Sequence, residues 1–466
     1  MKAKFIFSVF FIAVLCMGKM NAQIIPTITK IALLEQDRAT LNQHISEYTT
    51  FTIDKRALID SLYKNGRCQF QIHVDEQRNW TLDLQFNDMR SPDYKQTYIS
   101  NEGELEYKPF LLNTFKGKTS NNQIARFTVD ENNFFGVILD NQYHYVIRPA
   151  KDYTKNSSDE SLIVYKSSDI ILEDETFDYI NDALKPPKDS IGQDILMRST
   201  AASYVPCSSY LQIATDADYE FYQAKGSNLA KTYSDIFSVL NIIGGVYEST
   251  FDMKFIVTRQ NVWTTTSPYT ATLGLNLLTQ FTDYWNSNMT GVPRNIAHLF
   301  TGKNAVDAFG IAWVAQINHP IWHYVSPSYA YAVSWLRPEM YQTTAHEIGH
   351  NLGAGDNPSG CSCGTPSASV MCQLIKDPNL WFCQTSINEI TPWLAHFGAF
   401  LTGTNNLTLT GIVSGFNGYH AIQKITSNQV INSDYTIYEA AEVELGNGFE
   451  VKLGAEFEIV IDDGCP

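Results

Sequence analysis

The sequence predicts an α/β domain with a mixed, mostly parallel sheet plus helices, preceded by a β-rich domain and followed by a small all-β module. Three observations predict it: strand-like and helix-like periods alternate from Ser209 onward, the period before the connecting segment is mostly two, and after Thr402 only short strand-like runs remain. A chain of 466 residues has room for about three such units. With 44% hydrophobic and 18% charged residues it is globular rather than disordered.

The first element is a leader. Lys2 and Lys4 precede an apolar run from Phe5 to Met17, and Asn21-Ala22-Gln23 offers a small residue for cleavage, so residues 1–22 read as a signal peptide for secretion by bacterial export. That run is too short to span a bilayer, no later segment has 18 uninterrupted apolar residues, and no stable membrane insertion is expected. Losing Lys2, Lys4 and Lys19 leaves 30 basic against 49 acidic residues, so no basic surface is available in bulk for nucleic acid. Export also permits disulfides. Past the leader stand Cys68, Cys207, Cys361, Cys363, Cys372, Cys383 and Cys465, an odd number that leaves one free thiol. Cys68 stands far from the others, whose pairing the sequence does not decide.

Residues 23–198 form the β-rich unit. The pattern is helical and polar to about Tyr63, then alternates in Gln69–Val74 and Trp80–Phe86, with further strands read at Ala125–Val129, Phe134–Leu139, Tyr143–Ile147 and Leu162–Tyr165. An acidic run from Asp169 to Asp182, then Lys185-Pro186-Pro187-Lys188 and the exposed Arg198, reads as a protease-sensitive linker. Residues 203–402 carry the alternating pattern: strand Tyr210–Thr215, helix 226–247, strand Met253–Thr258, helix 275–286, strands Asn295–Phe300 and Gly310–Ile317. A last helix is expected from Ser386, with Ser386 and Glu389 as a capping box, to about Leu401. Residues 405–466 read as short strands with Gly446-Asn447-Gly448 as a hairpin turn, and no internal repeat is evident.

Chemistry concentrates in Thr344-Ala345-His346-Glu347-Ile348-Gly349-His350-Asn351-Leu352-Gly353. On a helix His346 and His350 lie roughly 40° apart and about 6 Å along the axis, so both imidazoles reach one metal ion. Two neutral nitrogens suit Zn²⁺, and the adjacent Glu347 can take a proton from water. Gly353 can adopt φ > 0, end the helix and turn the chain back, which makes Asp356 a candidate third ligand. Pro358 discourages further helix. Ser369-Val370-Met371-Cys372 can then turn beneath the site.

His346-Glu-Ile-Gly-His350-Asn-Leu-Gly353, followed by Cys361-Ser-Cys363-Gly364 and Val370-Met371, resembles the metzincin zinc endopeptidases, in particular their reprolysin branch of ADAM and venom metalloproteases. Tyr210 to Asp218, Leu299 to Gly302 and Gly310 to Trp313 resemble further parts of that catalytic domain, and Gly136 to Pro149 is similar to the end of the reprolysin propeptide. The resemblance covers roughly residues 65–400. It implies a zinc endopeptidase of protein or peptide substrates, made as a latent precursor and activated by cleavage near Arg198. One catalytic Zn²⁺ is expected on His346, His350 and Asp356, with Glu347 as general base and Met371 as the turn methionine. Asp356 replaces the family's usual His, as in the snapalysin-like pattern, and a carboxylate oxygen is an acceptable zinc ligand. Gln212 stands where calcium-binding reprolysins have Glu, so structural calcium is not predicted. Cys372 follows the turn methionine, whereas the family more often has cysteine two residues before it.

Other candidates are weaker. His319 and His323 flank Pro320 and read as loop residues near the cleft. His298 and His396 read as packing or surface residues. Cys68 is a candidate switch thiol over the zinc, or a buried thiol on a strand. Phe309–Ile317 is a candidate edge strand for an extended peptide, or a core strand. Alternatives to the endopeptidase are a catalytically silent adhesive relative, which has no need of Glu347, and a zinc hydrolase of small molecules.

Overall fold

In the computed structural model the described residues are 28–171, 183–184, 209–314, 329–397 and 406–461, without 76–77, 109–111, 132, 141–142, 155, 159, 306, 357–359, 364–367, 373–378, 415–416, 422 and 434. The leader, Arg198, Cys207, His319, His323 and Cys465 lie outside them.

The N-terminal region is one antiparallel sheet of nine strands, in the order Ile28–Lys30, Thr49–Ile53, Leu162–Lys166, Tyr143–Pro149, Phe134–Asp140, Ile124–Val129, Thr114–Thr119, Asn79–Phe86, Arg67–His73. Successive side chains on a strand point to opposite faces, and in the strands Ile124–Val129, Phe134–Asp140, Tyr143–Pro149 and Leu162–Lys166 both faces are largely buried. Phe127, Phe134, Ile138, Ile147 and Val164 pack beneath Leu58 and Leu62 of the helix Lys55–Asn65. Phe135, Val137, Val146, Ile163 and Tyr165 point the other way, into a core shared with the residues after Ser209. That is why Phe134–Leu139 reads as a near-continuous apolar run rather than a strict alternation.

The second sheet has eight strands: Ala183–Leu184, Gly310–Trp313, Tyr331–Trp335, Ile296–Thr301, Ser209–Ala217, Met253–Trp263, Arg90–Ser100 and Gly103–Glu106. Its pairs are parallel except Gly310–Trp313 with Tyr331–Trp335 and Arg90–Ser100 with Gly103–Glu106, so the expected mixed, mostly parallel sheet is present. One strand crosses the expected division of the chain. Arg90–Ser100 leaves the N-terminal region and pairs in parallel with Met253–Trp263, becoming a donated strand of the second sheet. Gly310–Trp313, hereafter the cleft strand, has the connector residues Ala183 and Leu184 along its outer side, in parallel register with Ala312 and Trp313.

A long helix, Leu229–Phe251, is buried between the two sheets, and the motif helix, Met340–Asn351, lies beside it with every residue buried. Tyr341, Ala345, Ile348 and Leu352, at helical spacing, enter the shared core and leave His346, Glu347 and His350 for the other side. The last helix runs Gln384–Phe397, starting earlier than expected. Ser386 is therefore inside its first turn, buried against Cys383, and the capping box is not formed.

The tail corrects two further expectations. Its strands form three short parallel sheets, the first of Asn406–Leu409, Lys424–Ser427 and Glu442–Leu445. Asn406 pairs with Lys424 and Lys424 with Glu442, the same step along the chain both times, so the chain winds as a coil whose turns stack. There is an internal repeat after all, carried by ladders such as Leu407, Ile425 and Val443. Gly446–Gly448 is a corner between strands of different sheets, not a hairpin: Glu442–Leu445 and Glu450–Val451 pair with different neighbours.

Candidate metal centre

The motif helix ends as Gly353 suggested. Gly353 has φ +102° and its N–H donates to the His350 carbonyl, while the Ala354 N–H donates to the Gly349 carbonyl. These two bonds close the helix in the manner of a Schellman turn and reverse the chain. Gly355 N–H then donates to Glu389 Oε2 at 3.0 Å, fixing the loop so that Asp356 returns to the histidines.

Three acceptor atoms meet there. His346 Nε2 and His350 Nε2 are 2.9 Å apart, and each lies 3.3 Å from Asp356 Oδ1. The Nδ1 atoms face carbonyl oxygens, Val370 O at 2.7 Å and Ala354 O at 2.8 Å. A carbonyl only accepts, so each Nδ1 carries the proton and each Nε2 presents a lone pair. Among the described residues, none donates a hydrogen bond to either oxygen of the Asp356 carboxylate. Three converging lone pairs repel unless a cation lies between them. The edge of a tetrahedron with bonds of about 2.0–2.1 Å is about 3.3 Å, so the spacing fits zinc. His346, His350 and Asp356 form the group among the described residues able to hold a metal ion.

Glu347 is buried beside them, and room for it is made by glycine. A Cβ on Gly310 of the cleft strand would lie 2.1 Å from Glu347 Oε1. Gly349 plays the same part below the helix, where a Cβ would lie 2.4 Å from Met371 Sδ, so Met371 packs directly under the motif. Val370 N–H donates to Trp381 O, and the disulfides Cys361–Cys383 and Cys363–Cys372 tie this turn to the loop after Asp356 and to the last helix.

Asn351, Gly310 and Glu389 were not singled out by the sequence for these parts. Asn351 Nδ2 donates to Trp313 O at 2.8 Å and Tyr331 O at 3.1 Å, clamping the end of the cleft strand to the motif helix. Its place directly after His350 was the available signal; nothing local marked Glu389, which stands in the last helix, far along the chain from Asp356. Cys68 is a free, buried thiol in the core beneath Leu58 and Leu62, with its pKa raised by burial, and it is not brought to the metal group. His298 is buried against Ser334 Oγ at 2.9 Å and held neutral by burial, a packing residue. His396 lies in the last helix.

The Reprolysin_5 model, metallo-peptidase family M12, matches residues 208–383. Disintegrin and metalloproteinase domain-containing proteins 1a and 1b of Mus musculus are each 22% identical over 211 residues, which cover 44% of this chain and 25% of theirs. The match thus spans about a quarter of the length of these curated relatives. Metalloproteinase-II from Bacteroides fragilis is a similar solved structure, with TM-score 0.42, 13% identity, and coverage of 72% of this chain and 94% of that one. Across residues 208–383 the chain carries a metallopeptidase domain. Over those residues it is similar to the reprolysin-like metzincins of family M12.

Proposed function

We propose that the protein is an exported zinc endopeptidase made as a latent precursor. The observation that carries this reading is the triangle of His346 Nε2, His350 Nε2 and Asp356 Oδ1, with Glu347 beside it in the space that Gly310 leaves open. A binding protein has no use for a buried carboxylate in a space cleared by glycine. When bound, zinc supplies a Lewis acid that polarises a peptide carbonyl and acidifies a water. Glu347 takes the proton of the attacking water and delivers it to the departing amine. The cleft strand supplies backbone N–H and C=O groups for an extended peptide, held in place by Asn351. Met371 supports the helix from below.

Latency is supported by the connector. Ala183 and Leu184 lie on the edge where that peptide would pair. Cutting the chain near Arg198 frees them to leave it. The leader and the two disulfides support export.

Zinc analysis together with a peptide-library digest tests the reading. Glu347→Ala is expected to keep one zinc per chain and lose about 10²–10⁴-fold in turnover. Near-normal cleavage by that variant would remove Glu347 from the mechanism, and an absence of zinc would remove the metal.

A further inference from the structure

The N-terminal region does more than reach the site through its connector. The donated strand supplies Tyr94 and Gln96 to Gln260 and Thr97 to Asn261, at 2.6, 3.2 and 2.9 Å, and the Tyr233 hydroxyl donates to Thr97 O at 2.7 Å. These partners belong to the second sheet and the long helix, on the far side of the linker in sequence. The long helix is bound to the N-terminal sheet along its length. Asn113 Nδ2 donates to Ser234 Oγ at 2.7 Å, Asn133 Nδ2 to Asp235 Oδ1 at 3.1 Å, and Asn241 Nδ2 to the Phe127 carbonyl at 2.9 Å, while Arg126 pairs with Glu248. The motif helix is bound too: Arg148 Nη1 donates to Pro338 O at 2.7 Å, and His144 lies 3.1 Å from the Tyr341 hydroxyl. One apolar core runs through both halves, from Val137, Val146 and Tyr165 to Ile243, Tyr341 and Ile348.

We infer that residues 28–171 and 209–397 are one folding unit joined by strand donation, so that cutting the linker yields a two-chain protein and not a freed catalytic domain. Two independent features hold it. A parallel strand in a sheet shares its hydrogen bonds with both neighbours, and removing Arg90–Ser100 strips an edge from Met253–Trp263. The long helix is buried on two sides, and Gly245 brings it so near the N-terminal sheet that a Cβ there would lie 2.9 Å from Arg126 Cγ and Nε. The consequence for latency is specific. Activation moves the connector off the cleft strand and leaves the N-terminal sheet in place. The inference concerns assembly and holds or fails whether or not the protein cleaves peptides.

The full chain, carrying a specific protease site between Lys188 and Ser203, is cut to completion, as judged by two bands on a non-reducing denaturing gel. Under native conditions the fragments are expected to elute together at the mass of the uncut chain and to part only in denaturant. Elution as separate species, with the C-terminal fragment still folded by circular dichroism, overturns the inference. Gly245→Val in the same cut protein is expected to lower the denaturant concentration at which the fragments part. An unchanged midpoint overturns the part assigned to the long helix.

Discussion

The motif helix with its turn, residues 340–356, and the donated strand, residues 90–100, are both parts of the second sheet's half of the molecule, yet only the first announces itself. Almost everything in the motif helix is settled between Met340 and Asp356: apolar spacing at 341, 345, 348 and 352, ligands four apart, a glycine to stop the helix and an acid three beyond it. The donated strand has no such local logic. Pro92 and Asp93 interrupt it, its register with Met253–Trp263 shifts between Arg90 and Lys95, and its buried residues are Gln96 and Thr97. Chemistry that needs neighbouring residues leaves a short-range pattern, whereas a strand whose partner lies far along the chain is specified by that partner.

The sharpest way to break the comparison is to damage the short-range site from a distant strand. Gly310→Val places a branched side chain where Glu347 Oε1 sits, so turnover is expected to fall at least about 100-fold while zinc content stays at one. Steady-state kinetics beside metal analysis decide it. Retained turnover would mean that Glu347 has another position from which to work.

The same contrast explains what was legible. His346, Glu347, His350, Gly353, Asp356 and Met371 were readable because each belongs to a helix, its stop or its underlying turn. Gly310 was read as part of an edge or a core strand, but its lack of a side chain has meaning only once Glu347 faces it. Glu389 was assigned to a helix cap and instead holds Gly355, since the last helix starts at Gln384. The coiled tail escaped notice because its apolar ladder, Leu407, Ile425 and Val443, gains one member per turn of the coil, and each turn carries only short strands with polar faces.

Glu389 offers a smaller and longer-range perturbation. Removing the acceptor for Gly355 N–H loosens the loop that returns Asp356, so Glu389→Ala is expected to weaken zinc binding by about 10–100-fold without abolishing it. Competition against a chromogenic chelator measures this. An unchanged affinity would show that the helix-ending turn alone positions Asp356.

Acid sensitivity probes both regions together. His144, at the seam between the halves, and His298, within the second sheet, are held neutral by burial, their pKa values lowered to about 3. Between about pH 3 and about 6.5 the unfolded chain binds more protons at these sites than the folded one, so their contribution is intact above that window and is lost as the pH falls through it. Urea midpoints on chelator-treated protein are expected to drop steadily from pH 7 to 4. His144→Gln should flatten that slope relative to the parent, because one of the two groups no longer titrates.

The smallest effect is expected at the tail. Leu409, Ala421, Ile425, Tyr438 and Ala440 form a core of their own, separate from the cores of the two sheets. Tyr438 is locked inside it by Ser427 and Gln429, both at 2.7 Å, so the coil's own bonds close within the coil. Among the described residues its main contact with the rest of the molecule runs through Asn417–His420 beside the donated strand. A chain ending at Thr402 should therefore shift the melting temperature by less than about 2 °C and keep its turnover on a short peptide. Calorimetry and a peptide assay give the two numbers. A larger loss of stability would make the coil a clamp on the donated strand, and would place the tail with residues 90–100 among the parts of the fold that are specified only from a distance.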